Sequence, residues 1–234
     1  MARRRVNTTR YEIIQTATKL FLEIGYSHTT PKMICQELDI STGNLTYYFP
    51  TKEHLLAELV EMLCDFQVQL LQEEVEEEGL TSLSAICLEV ATMAAVADQS
   101  EIAKDFFLSA YRSPICLEMI RRNDTQRSMQ IYREYCPDWD EKRFICAETM
   151  VSGVEYAALM TTGDLADLEY RVAGALEVIM RIYNVPEDVR KQKIQKILAM
   201  DYRNKGPQIL EHFKIFVQET NEHTFQALRD SKKA

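Results

Sequence analysis

Between Ser41 and Phe49 the chain reads Ser-Thr-Gly-Asn-Leu-Thr-Tyr-Tyr-Phe. The polar groups of this stretch suit hydrogen bonding to the edges of nucleic-acid bases and to phosphates. Asn44 is a natural reader of adenine edges, and Thr42 and Thr46 each offer a hydroxyl and a methyl. Leu45 and Phe49, four apart, can anchor one side of a short helix. That leaves Thr42, Asn44, Thr46 and Tyr47 free to face outward, with Tyr48 leaning in. Gly43 removes a side chain where the helix would approach a backbone closely.

Such a helix must be held by others, and the spacing of apolar residues predicts them. Ile13, Ile14, Ala17, Leu20, Phe21 and Ile24 form one helical stripe ending at Gly25, a C-cap residue. Thr30 caps a second helix whose first turn holds Pro31, where the missing N–H costs nothing. Met33, Ile34 and Leu38 supply its apolar side. Asp39-Ile40 is a short connection, and Ser41 caps the third helix, which runs to about Tyr48. Two short helices so joined fit a helix-turn-helix, whose second helix enters the major groove. Thr51 caps a long fourth helix from Lys52 to about Glu78, with a stripe at Leu56, Leu59, Val60, Leu63, Phe66 and Leu70. Further helices are predicted at 81–97, 99–112, 114–135, 138–162, 165–184, 187–203 and 207–230, the last opening at Pro207. The fold class is all-α, divided into an N-terminal module at 7–67 and a larger helical body at 68–234.

The charge distribution agrees with that division. The chain carries 27 Lys/Arg and 36 Asp/Glu, a formal net charge of −9. Residues 1–57 are at +2, which leaves −11 on the remainder. The acidic body cannot sit on DNA; the mildly basic N-terminus can. The six cysteines are scattered with no C-x-x-C pair, so they read as small apolar residues and no metal or other cofactor is expected. No apolar run reaches the roughly 18 residues of a membrane span; the longest stretch, 85–97, is interrupted by Glu89. The N-terminus, Met1-Ala2-Arg3-Arg4-Arg5, is not followed by an apolar secretion segment, and a cytoplasmic location is expected. No nucleophile–base pair or Gly-rich phosphate loop appears, which leaves an all-α enzyme as the weak alternative.

The motifs Ala17-Thr18-Lys19-Leu20-Phe21, Gly25-Tyr26, Thr29-Thr30-Pro31, Ile34-Cys35, Ser41 to Phe49 and Lys52-Glu53-His54-Leu55-Leu56 fall at fixed spacings. On these residues, about the first quarter of the chain, the sequence resembles the TetR-type transcriptional regulators. Two departures stand out. Cys35 replaces the family's usual Ala, and Thr46 stands where a phosphate-contacting Tyr is usual, so that Tyr47 or Tyr48 is left to take over the contact. The resemblance implies that Thr30 and Lys32 touch phosphates, that Ser41, Thr42, Gly43, Asn44, Thr46 and Tyr47 face the groove, and that Lys52 contacts a flanking phosphate. Arg3, Arg4 and Arg5 form a basic arm that enters a neighbouring minor groove or only adds charge.

The resemblance further implies a homodimer on a palindromic operator, repression as the usual mode, and release by a small molecule held in the central helices. The candidates for the dimer contact are helices 138–162 and 165–184. The second carries Leu165, Leu168, Val172, Ala175, Ile179 and Ile182 three and four apart, a coiled-coil-like seam; the alternative is that this stripe packs inside the subunit. Ala157, Ala158, Gly153 and Gly174 would allow close approach. Met93, Phe106, Phe107, Tyr111, Met119, Met150 and Tyr156 are the candidates to line a pocket, which would then take an apolar effector; the same residue types fill helical cores. A TetR-like regulator without a small-molecule ligand is the competing expectation.

Overall fold

The computed structural model describes residues 2–76, 79–161, 163 and 165–230, the side chains of 2–8, 225 and 228–230 excepted. Among the described residues there are eleven helices and no strand. They are α1 (Ala2–Ile24), α2 (Pro31–Leu38), α3 (Thr42–Tyr48), α4 (Lys52–Glu76), α5 (Ser82–Gln99), α6 (Glu101–Arg112), α7 (Pro114–Ile131), α8 (Glu141–Met160), α9 (Leu168–Ile182), α10 (Glu187–Leu198) and α11 (Tyr202–Asp230). None of them is long and apolar enough to cross a membrane.

The N-terminal helices form as their residues dictate. Gly25 ends α1 at φ +93°, a conformation that side chains disfavour. Asp39 ends α2 at φ 51°, and its N–H returns to the carbonyl of Gln36 at 3.4 Å, while Ile40 N–H reaches Cys35 O at 3.0 Å. Ile13, Ile14, Ala17 and Phe21 of α1 are buried against Ile34 and Cys35 of α2 and Leu45 and Phe49 around α3. Each fully buried Ile, Leu or Phe among them contributes ~1.5–3 kcal/mol. The same cluster runs through Leu55, Leu56, Leu59 and Val60 of α4 to Phe106 and Phe107 of α6 and Phe213 and Val217 of α11. A second cluster joins α5, α8, α9 and α10 around Leu88, Phe144, Val172, Met180 and Ile197.

Two expectations are corrected. Helix α11 begins at Tyr202 and contains Pro207 instead of opening on it. A proline there gives no hydrogen bond to the carbonyl four residues earlier, that of Arg203. Gln99 Nε2 supplies the missing donor to that carbonyl at 2.9 Å. Gly206 lets the turn lie against α5: a Cβ there would stand 2.9 Å from Val96 Cγ2 and 3.1 Å from the Thr92 carbonyl. The expected seam of α9 is also reassigned, because Leu168, Val172, Ala175 and Ile179 are buried within their own subunit. Helical spacing alone cannot tell an inward stripe from an outward one. The exposed side of α9 carries Tyr170 (79% exposed), Gly174 and Val178, and that of α8 carries Ile145, Met150, Gly153, Ala157 and Met160. Leu165 precedes α9 and is 83% exposed.

Candidate nucleic-acid interface and buried polar cavity

Helix α3 has two sides of opposite character. Leu45 and the following Phe49 are buried, whereas Thr42, Gly43, Asn44, Thr46 and Tyr47 are exposed, Tyr47 at 76%. Tyr48 is half-buried against the core and meets Tyr47 edge to face, ring centroids 5.0 Å apart. Ser41 Oγ accepts from Asn44 N–H at 3.1 Å and so caps the helix. Thr46 Oγ1 donates to Thr42 O at 3.0 Å, leaving its lone pairs and methyl for an outside partner. A Cβ on Gly43 would meet only Ser41 Oγ, at 3.9 Å, so the space over it is open. Thr30 Oγ1 caps α2 through Met33 N–H at 3.3 Å, and Lys32 stands exposed in the same turn. A helix N-terminus with a neighbouring cation is a ready site for phosphate. The side chains of Arg3, Arg4 and Arg5 lie outside the described residues.

Lys52 has work inside the protein that its sequence position did not reveal. Its ammonium donates to Tyr26 O at 2.9 Å and Thr29 O at 3.0 Å and sits 3.9 Å from the centre of the Tyr26 ring. Burial pushes its pKa down, against the pull of Asp105 and Glu53. Asp105, on α6, holds the same turn from the other side: its carboxylate accepts from Ser27 N–H at 2.7 Å and from the Ser27 hydroxyl. The turn before α2 is thus pinned by a cation from α4 and an anion from α6. Arg10 adds a further tie, bonding Glu58 of α4 at 2.5 Å beneath the Phe49 ring.

In the body, Met93, Phe107 and Tyr111 line a cavity of about 50 Å³, while Phe106 joins Met93 and Phe107 around a second cavity of similar volume. Met119, Met150 and Tyr156 line neither: Met119 packs on the first core, Met150 is 56% exposed, and Tyr156 Oη accepts from Arg112 Nε at 3.0 Å. An apolar cavity was expected; the wall of the first is largely apolar but carries a charged cluster as well. Glu89, Asp124, Arg127, Glu148 and Glu155 all face it. Arg127 grips Glu89 with both terminal nitrogens, one of them at 3.1 Å, and reaches Asp124 at 3.3 Å. Glu148 accepts from Ser128 at 2.5 Å and from Tyr183, and Glu155 from Tyr111 at 2.7 Å. Burial pushes all three acids upward: Asp124 to about 7 despite Arg127, Glu148 above its usual range, and Glu155 well above it. The one sequence sign of this cluster was Glu89, an acid within an apolar stretch.

Residues 13–59 match the bacterial regulatory proteins of the tetR family. The chain is 36% identical over 118 residues to the HTH-type transcriptional regulator HbdR of Aromatoleum sp. (strain CIB), covering 50% of this chain and 49% of that protein. It is 43% identical over 53 residues to the HTH-type regulator YuxN of Bacillus subtilis (strain 168), covering 23% of this chain and 18% of that protein. The chain thus spans about half the length of the first relative and less of the second. Among solved structures, a gamma-butyrolactone receptor (ArpA like protein) aligns over 89% of this chain and 99% of its own at 20% identity, with a TM-score of 0.45.

Proposed function

We propose that this chain, whose residues 13–59 match the tetR family of bacterial regulatory proteins, is a DNA-binding transcriptional regulator of that family: a homodimeric cytoplasmic repressor that reads a palindromic operator and leaves it when a small effector enters the helical body. Residues 7–67 serve as the reading head and 68–234 as the body. The supporting observation is the outward set Thr42, Asn44, Thr46 and Tyr47 on a helix anchored by buried Leu45. Thr30, Lys32, Ser41 and Gly43 border that face, and Lys52 keeps a third N–H for a flanking phosphate. One such head makes too few contacts for operator specificity, so two related by a twofold axis are required.

The exposed faces of α8 and α9 support pairing there. A Cβ added to Gly153 or Gly174 would find nothing within 4 Å, so a partner helix can approach closely over Met150, Ala157, Tyr170 and Val178. Coupling between the two parts runs through α6. Phe106 and Phe107 line the cavities, and the residue before them, Asp105, holds the turn that leads to α2. An effector that favours the released state by ~1–3 kcal/mol lowers operator affinity roughly 5–150-fold.

Selection of binding sites from random duplex DNA tests the reading. A palindrome with half-sites about one helical turn apart, or a small multiple of it, is expected. An asymmetric single site would sink the dimeric operator, and no enrichment would sink the placement of the reading face.

A further inference from the structure

We propose that the cavity between α5, α7 and α8 takes an amphiphilic amine that carries a hydrogen-bond acceptor beside its ammonium and an apolar body that extends toward α11. The inference deepens the effector reading given above and rests on it.

Three observations converge. First, four carboxyls, Glu89, Asp124, Glu148 and Glu155, face the cavity, and one guanidinium, Arg127, faces it with them. Arg127 is engaged by Glu89 and Asp124, while Glu148 and Glu155 are held by the hydroxyls of Ser128, Tyr183 and Tyr111. Buried carboxyls without a countercharge keep their protons or wait for a cation, and the upward shifts of Asp124, Glu148 and Glu155 agree. The phenols of Tyr111, Tyr132 and Tyr183 and the thiols of Cys64 and Cys87 that share the cavity are raised by burial and stay neutral. An ammonium supplies the missing charge together with three N–H donors.

Second, Arg127 is 7% exposed and its Nε has no hydrogen-bond partner. A buried donor left unmade costs ~1–3 kcal/mol, so an acceptor arriving there gains that back. The acceptor belongs on the ligand because the carboxyls already surround the other two nitrogens. Third, the second cavity shares Met93, Phe107 and Glu89 with the first and continues among Phe66, Leu210 and Phe213. One molecule can place its charged end in the first and its apolar end in the second. Each cavity is about 50 Å³, room for a few waters. Entry therefore requires Met93 and Phe107 to part, and Met is the side chain that repacks most readily.

The test uses three probes of one shape: 2-amino-1-phenylethanol, 1-phenylethane-1,2-diol and mandelate. All carry the same ring and hydroxyl, with a positive, neutral or negative second group. Binding to the full chain is followed calorimetrically and by fluorescence of Trp139, whose ring lies 6.0 Å from that of Tyr183 at the cavity. The ammonium compound is expected to bind at least tenfold more tightly than the diol, with mandelate weakest. Glu155→Gln and Glu148→Gln, each checked for native helicity, are expected to shrink the preference for the cation over the diol. Equal or tighter binding of the diol or mandelate, or no binding of the cation at millimolar concentration, overturns the assignment. Operator affinity is measured separately. A cation that binds without releasing DNA keeps this assignment and refutes the effector reading, whereas release by the diol alone does the reverse.

Discussion

In α2 and α3 the polar side chains stand outside an apolar shell, whereas between α5, α7 and α8 they turn inward. Thr42, Asn44, Thr46, Tyr47 and Lys32 are exposed over Ile34, Leu45 and Phe49. Glu148, Arg127 and Ser128 are buried, and Glu89, Asp124 and Glu155 partly so, around a cavity. The head therefore keeps its recognition groups where water already satisfies them, and altering one changes binding without unfolding anything. The body holds its recognition groups at low dielectric, where each depends on the others. The same kind of substitution should then have opposite consequences in the two regions.

The largest contrast is expected at Arg127. Replacing it with Met removes the countercharge of Glu89 and Asp124 and leaves buried carboxylates unpaired, a change that costs ~3–5 kcal/mol. Urea denaturation should show the loss as a lower midpoint with an unchanged slope. A variant as stable as the parent would mean that the carboxyls are already neutral and that the ion pair with Glu89 carries little energy.

Asn44→Ala should behave in the reverse manner. The side chain is exposed, so stability should move by less than ~0.5 kcal/mol. Operator affinity should fall by ~1–3 kcal/mol, with preference relaxed at one base position. Competition against operators altered at single positions reads this directly. Uniform weakening across all of them would remove Asn44 from base contact.

The two regions also differed in how far their sequences could be read. The stripe of Ile13, Ile14, Ala17 and Phe21, the caps at Thr30 and Ser41 and the anchor Leu45 were legible because local spacing and local hydrogen bonds decide them. The direction of the α9 stripe was not, since Leu168, Val172, Ala175 and Ile179 satisfy a partner helix and an internal core equally well. Glu148 and Glu155, seven apart on α8, have no local sign of their surroundings, because their partners Ser128, Tyr183 and Tyr111 lie 20 to 44 residues away in sequence. The start of α11 was misplaced at Pro207 because the donor that offsets the proline, Gln99, is 108 residues away in sequence. Long-range partners rewrite local rules in the body, while in the head they pin the turn before α2 through Lys52 and Asp105 and leave the reading helix itself to local rules.

Lys52 lies where the two regions meet, and its two roles can be separated by salt. Lys52→Met removes the donors to Tyr26 O and Thr29 O, which should cost ~1–2 kcal/mol in stability. If the ammonium also touches a phosphate, the slope of log affinity against log salt should become shallower by about 0.9. Weaker binding with an unchanged slope would assign Lys52 to holding the turn alone, and the comparison would sharpen: even a charged residue of the head's border would act by folding.

The smallest effect expected is that of pH on stability, and its sign is the informative part. Exposed acids paired with bases stabilise a fold as pH rises; the buried acids here must do the opposite. Burial and the neighbouring charges raise Asp124 from 3.8 to about 7 and Glu155 well above its usual range. A carboxyl raised in the folded state holds its proton there more tightly than in the unfolded chain. Its contribution is complete below the unfolded value and is lost as pH rises through the folded one. Glu155 faces Tyr111 of α6, Asp124 and Arg127 of α7, Glu148 of α8 and Glu89 of α5; the Tyr111 hydrogen bond and Arg127 favour ionisation, and burial together with the other acids outweighs them. The melting temperature should therefore fall between pH 5 and pH 8, by about 2–4 °C for each ~1 kcal/mol lost. Glu155→Gln keeps a neutral acceptor for Tyr111 at every pH and should flatten that fall. The difference between the two melting curves cancels the exposed acids, which titrate alike in both. An identical fall in the variant would mean that Glu155 is ionised in the native state, with a countercharge already beside it.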